Sequence, residues 1–137
     1  MRMVFFAILI VVLGGLGWIR FAPSDAAYWH VDPKVTTDQD LKDGVRRRLA
    51  GDEAVFTKLN DLIMNTPRTT VLAGSAADGH VTYVTRSLWF GFPDYTTVQR
   101  DGDVLEIWAR LRFGSSDLGV NKARVDGWLN ALAQMGT

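Results

Sequence analysis

The 137-residue chain has no cysteine. Disulfides, thiol nucleophiles, thiolate zinc sites and cysteine-ligated clusters are therefore excluded. Histidine is nearly as scarce, with only His30 and His80, so a three-histidine metal site within one chain is impossible. There is no excess of either charge, since 15 Lys and Arg balance 15 Asp and Glu. Phosphate-backbone binding then loses its main driving force, and nucleic acid is not expected as a partner. No P-loop, dinucleotide fingerprint or G-x-S-x-G elbow occurs, and Asp101 and Asp103 lack the surrounding pattern of a calcium loop. No metal site and no cofactor is expected.

The composition is that of a folded protein, 47% hydrophobic, 11% aromatic and 22% charged, and the length suits a single domain. The apolar residues are unevenly spread. Seventeen uncharged residues separate Arg2 from Arg20. As a helix they span about 25 Å, slightly short of a ~30 Å hydrocarbon core. Flanking arginines can snorkel, and Trp18 suits an interface. Three readings are open for residues 1–21: an uncleaved signal anchor, a cleaved signal peptide ending near Ser24-Asp25-Ala26, and a buried core helix. The anchor is favoured over the core helix because every face of the segment is apolar and a small domain has little room for it. A single-pass inner-membrane protein with its domain in the periplasm is expected, or a secreted one after cleavage.

Residues 22–50 read as a linker, with Ala22-Pro23-Ser24-Asp25 and Asp32-Pro33 and little apolar periodicity. Its one basic run, Arg46-Arg47-Arg48, is too short for a polybasic lipid signal and reads as a strand or loop edge. Residues 51–137 read as one α+β domain. Val55, Phe56, Leu59, Leu62 and Ile63 repeat at helical spacing over 52–64, with Asp52 as cap and Pro67 as terminator. Strands follow over 69–73, 80–90, 95–100 and 104–113. Gly114-Ser115-Ser116-Asp117 breaks the sheet, and a helix over 118–133 places Leu118, Val125, Trp128, Leu129 and Leu132 on one stripe. The expected fold is an N-terminal transmembrane helix followed by a small antiparallel four-stranded sheet with two helices on one face.

Asp101-Gly102 is the strongest hairpin signal. Taken as a two-residue loop, it sets Val98 opposite Leu105, Thr96 opposite Ile107 and Tyr95 opposite Trp108. One face then collects Thr96, Val98, Leu105, Ile107, Ala109, Leu111 and Phe113 as core. The other collects Tyr95, Thr97, Glu106, Trp108, Arg110 and Arg112. Tyr95, Trp108, Arg110 and Arg112 form a candidate face for a protein partner or an anionic or amphipathic ligand, because arginine stacks on aromatics and binds oxyanions bidentately. The competing reading is a solvated outer sheet face. A polar corner is also expected between the last strand and last helix, from Ser116, Asp117, Asn121 and Arg124, with Arg86 and Asp94 nearby. It is either an anion pocket or, more simply, a capping and salt-bridge cluster. Arg86 would need a buried acid if it faced the core, with Asp94 and Asp117 as the nearest candidates. No catalytic set is identified.

Residues 81–87 (Val81-Thr82-Tyr83-Val84-Thr85-Arg86-Ser87), Gly91-Phe92-Pro93-Asp94-Tyr95, and the run from Arg110-Leu111-Arg112-Phe113-Gly114 through Val120-Asn121-Lys122-Ala123-Arg124-Val125 together resemble the bacterial domain of unknown function 1499 family. Arg20-Phe21-Ala22-Pro23-Ser24-Asp25 and Trp29-His30-Val31-Asp32-Pro33 resemble the membrane-proximal part of proteobacterial members. The family pattern has arginine where this chain has Lys122, and a better helix former where it has Gly127. The resemblance implies a small envelope-associated domain and no assigned reaction. Together these features point to a membrane-anchored extracytoplasmic domain that binds without catalysis. The alternative is an envelope enzyme acting on an anionic substrate at the Arg/Asp-lined corner.

Overall fold

The computed structural model describes residues 1–136, so Thr137, the last residue of the expected domain, lies outside the described residues. Helix α1 (Arg2–Phe21) buries none of its residues. It is long and apolar enough to cross a membrane, as a membrane anchor or a signal peptide would be. A short helix α2 (Ala26–Trp29) follows, started by Asp25, whose carboxylate accepts from the Ala27 amide at 2.9 Å.

The sheet has six antiparallel strands, not four. They are β1 (Gln39–Leu41), β2 (Gly44–Ala50), β3 (Thr69–Ser75), β4 (His80–Arg86), β5 (Pro93–Asp101) and β6 (Val104–Leu111). Their order is β1-β2-β6-β5-β4-β3. The two unexpected strands come from residues 39–50, expected to be linker, and β2 lies alongside β6 over its whole length. Arg46, Arg47 and Arg48 sit in β2 and alternate faces. Arg47 bonds Asp126 and Asp40, both at 2.9 Å, while Arg46 and Arg48 face the opposite way. The run expected as a solvated strand or loop edge is thus corrected to part of an interior strand, with β1 on one side and β6 on the other.

Two helices, α3 (Glu53–Met64) and α4 (Val120–Met135), cover one sheet face. Asp52 caps α3 by accepting from the Val55 amide at 3.0 Å. Phe56, Leu59 and Ile63 meet Val125 and Trp128 over Val45, Val81, Tyr83, Val98, Leu105 and Ile107. The Trp128 indole donates to Thr66 at 2.8 Å, and the Tyr83 hydroxyl to Asn60 at 2.6 Å. Helix α4 starts two residues later than expected because Leu118 and Gly119 take left-handed backbone, φ +54° and +79°.

The hairpin register differs from expectation by one residue on each strand. Asp101 pairs with Val104, so the loop is Gly102-Asp103, and Tyr95 lies opposite Arg110 while Trp108 lies opposite Thr97. Gly102 alone in the loop has positive φ, +61°, as a type II′ turn needs at its first position. Shifting both strands by one preserves parity, so the division into faces stands. Leu111 is a correction: it is only half-buried, paired with Asp94 at the strand end, and Phe113 lies beyond the strand. The core leucine of β6 is Leu105, fully buried.

The second sheet face is not open. Residues 22–38, also expected to be linker, run across it as a strap. Having no neighbouring strand, the strap offers its carbonyls to sheet side chains. Arg112 donates to Pro23, His80 to Val31, Arg46 to Pro33 and Lys34, and Arg48 to Val35. The Val35 amide donates to the buried Glu106 carboxylate at 2.6 Å. His30 stacks on His80, ring centroids 3.8 Å apart, and bonds Thr82 at 2.9 Å.

Three expectations follow. Gly102→Val should lower stability by about 1–2 kcal/mol, the cost of left-handed backbone in a residue with a side chain. A Cβ there meets nothing within 4 Å, so an unchanged urea midpoint would contradict the turn. Leu105→Ala should cost about 2–5 kcal/mol and Leu111→Ala clearly less, by the same measurement; the reverse ranking would contradict this core. Burial, and then the adjacent His80, hold the His30 pKa below its ordinary value of 6.5. The unfolded chain therefore binds the extra proton first, and stability should fall as pH drops below about 6.5. His30→Asn should flatten that part of the pH–stability curve.

Candidate functional site

Strand β6 alternates, so Glu106, Trp108 and Arg110 point to the strap side, with Tyr95 and Thr97 of β5 beside them. The strap adds Trp29 from the end of α2. Its ring stacks on Tyr95 with centroids 3.9 Å apart and planes 8° from parallel. The Arg110 guanidinium lies over two indoles, 4.1 Å from the Trp108 centroid and 5.4 Å from that of Trp29. Arg46 lies over the same Trp108 ring at 4.8 Å. Both arginines thus meet the negative face of an aromatic quadrupole.

Arg110 is 4% exposed. It donates to the Trp29 carbonyl at 2.6 Å, to Thr97 Oγ1 at 2.8 Å and to the Trp108 carbonyl at 3.0 Å. Among the described residues no carboxylate pairs with it. Burial, and then repulsion from Arg46, push its pKa down to about 10, which still leaves it charged at neutral pH. A buried cation without a counter-ion is costly. The aromatic faces and three oxygen acceptors offset part of that cost. Two donors remain without a protein acceptor among the described residues, Arg110 Nε and Trp108 Nε1.

Tyr28, Trp29, Asp43, Trp108, Arg110 and Arg112 are among the residues lining a cleft of about 300 Å³. Arg112 donates to the Tyr95 hydroxyl at 3.1 Å, and that hydroxyl is within 2.6 Å of Ser24 Oγ. Of the four residues expected on the candidate face, Trp108, Arg110 and Arg112 line the cleft, while Tyr95 is fully buried beneath Trp29. The exposed outer face expected for these residues is thus corrected to a walled one. Tyr28, Trp29 and Arg46 are the residues that strand alternation alone did not supply.

The polar corner brings together Asp94, Ser116, Asp117, Asn121 and Arg124. Asp117 accepts from the Gly119 and Asn121 amides at 2.9 and 3.0 Å, and Ser116 Oγ from the Leu118 amide at 3.3 Å. Arg124 bonds Asn121 Oδ1 at 3.0 Å and pairs with Asp94 at 3.3 Å. Burial nevertheless outweighs Arg124 and holds the Asp94 pKa above its ordinary value. Arg86 does not join the corner. Its register partner is Pro93, one residue from Asp94 and so on the other face. It needs no buried acid, because it is only half-buried and donates to the Gly91 carbonyl at 2.9 Å. Among the described residues no group of three or more His, Asp or Glu side chains could hold a metal ion.

No curated protein and no solved structure matches the chain. Residues 30–132 match a family model described as "Protein of unknown function (DUF1499)". The match spans β1 to most of α4 and includes Tyr95, Trp108, Arg110 and Arg112, while Tyr28 and Trp29 lie just before it. Covering well over half of the chain, it establishes that the protein belongs to the DUF1499 family.

Proposed function

We propose that the protein is a membrane-anchored, extracytoplasmic domain of the bacterial envelope that binds a small anionic or amphipathic ligand, without catalysis, in the cleft beside Arg110. The observation that carries this reading is a buried guanidinium on the cleft wall with no carboxylate partner among the described residues, packed against two indoles, with its Nε donor unused. Such a site suits a ligand with a flat or apolar body and an oxyanion that a guanidinium can hold. The exposed apolar helix α1 supports anchoring, with export after signal cleavage as its variant.

The alternative of an envelope enzyme at the Arg/Asp corner has less to support it. Both Asp117 oxygens are occupied by helix-start amides, and Arg124 is neutralised by Asp94. The groups a substrate anion would use are engaged with one another.

The test is a tryptophan-fluorescence titration of the full chain in non-ionic detergent with benzoate and, as the neutral control, benzamide. Benzoate should saturate the signal and benzamide bind far more weakly. Arg110→Gln should weaken benzoate at least tenfold, as loss of a charge-assisted hydrogen bond of about 1.5–3 kcal/mol requires. Arg110→Lys keeps the charge but loses the planar fork and should also weaken it. Equal binding of the two probes, or of benzoate to all three proteins, would contradict the proposal.

A further inference from the structure

A second cationic site lies where α1 meets the sheet. Arg20, the last basic residue of α1, lies across Gly91, where an added Cβ would collide with its side chain. Arg86 donates to the Gly91 carbonyl at 2.9 Å. Arg68 Nε donates to the Arg86 carbonyl, also at 2.9 Å. The three arginines, with Phe21 and Thr70, line a recess of about 330 Å³. Among the described residues none of the three forms an ion pair, although the chain as a whole is neutral. Three uncompensated guanidinium groups around one recess match a phosphate group.

The surroundings identify what carries that phosphate. The loop over residues 87–92 is closed by the Ser87 and Phe92 backbones and by Ser87 Oγ accepting from the Phe92 amide. At its tip Leu88 is 63% and Trp89 86% exposed, with Phe90 also exposed. Folding gives these apolar side chains no cover. They stand beside the end of α1, where Trp18 and Phe21 are likewise exposed. Aromatic residues at the end of an apolar helix, next to unpaired arginines, are the pattern of a membrane–water interface. Continuity with α1 makes a bilayer, rather than a soluble phosphate compound, the occupant.

We infer that Arg20, Arg68 and Arg86 bind the phosphate of an anionic phospholipid at the surface that α1 crosses, while Leu88, Trp89 and Phe90 dip into the interface. The domain is thereby held in a fixed attitude on the membrane instead of swinging from its anchor. This inference rests on the anchoring reading and is independent of the Arg110 cleft.

The experiment uses the full chain in nanodiscs of phosphatidylcholine and phosphatidylglycerol. Native mass spectrometry counts the lipids that leave with the protein. Wild type should retain phosphatidylglycerol in preference to phosphatidylcholine. Arg20→Gln/Arg68→Gln, both exposed positions, should reduce that preference at least fivefold, and adding Arg86→Gln should abolish it. Lys58→Gln/Lys122→Gln, with the same loss of charge elsewhere, should leave it intact. Arg20→Gln alone, which removes no hydrogen bond of the fold, should show a partial loss. Brominated lipid should quench a fluorescence component that Trp89→Phe removes. Retention that follows net charge alone, equal retention of both lipids, or no quenching difference overturns the inference. Failure of the chain to enter nanodiscs overturns the anchoring reading, and this inference with it.

Discussion

A backbone that crosses a sheet face without pairing to it must find other partners for its carbonyls. In this protein that requirement is met by basic side chains. Pro23, Trp29, Val31, Pro33, Lys34 and Val35 each give a carbonyl to an arginine or histidine on the sheet. The one strap amide bonded to a sheet carboxylate, that of Val35, takes Glu106. The second face therefore carries arginines as lattice points for the strap, not as solvent-facing charges. Helices cover the other face by ordinary apolar burial.

Arg110 is the point where this arrangement creates a site. Holding the Trp29 carbonyl takes one Nη2 hydrogen and goes with Trp29 lying over Tyr95, which walls the cleft. Thr97 and the Trp108 carbonyl take Nη1. Nε is left without a protein acceptor among the described residues, as is the Trp108 indole N–H. A hydrogen bond to a charged group is worth about 1.5–3 kcal/mol, so the leftover donor is a substantial resource for any acceptor that reaches it. The fold and the proposed binding thus draw on the same guanidinium.

Much of this was legible in the sequence. The apolar repeat over 52–64, its Asp52 cap and the Pro67 stop specify α3. The parity of β5 and β6 separates most of the core residues from Tyr95, Trp108 and Arg110 even though the loop lies one residue later than the Asp-Gly signal implies. The strap and the first two strands were not legible. Strand β2 reads Gly44-Val45-Arg46-Arg47-Arg48-Leu49-Ala50, and its arginines hide the alternation because Arg47, on the helix side, is neutralised by Asp126 across the fold. Thr97, Glu106 and Arg110 give the second face a solvated pattern because they are polar, yet all three are buried and bonded to distant residues. Period-two patterns report burial only when burial is apolar.

The strap is an integral layer of the fold, and the Val35 amide reports on that most directly. It is the strap amide bonded to the buried Glu106 carboxylate, and its residue is fully buried. Amide hydrogen exchange of the full chain should find Val35 protected to the same degree as the β5 and β6 amides, opening only when the sheet does. Exchange of Val35 at the rate of an open loop, with β5 and β6 still protected, would contradict the account.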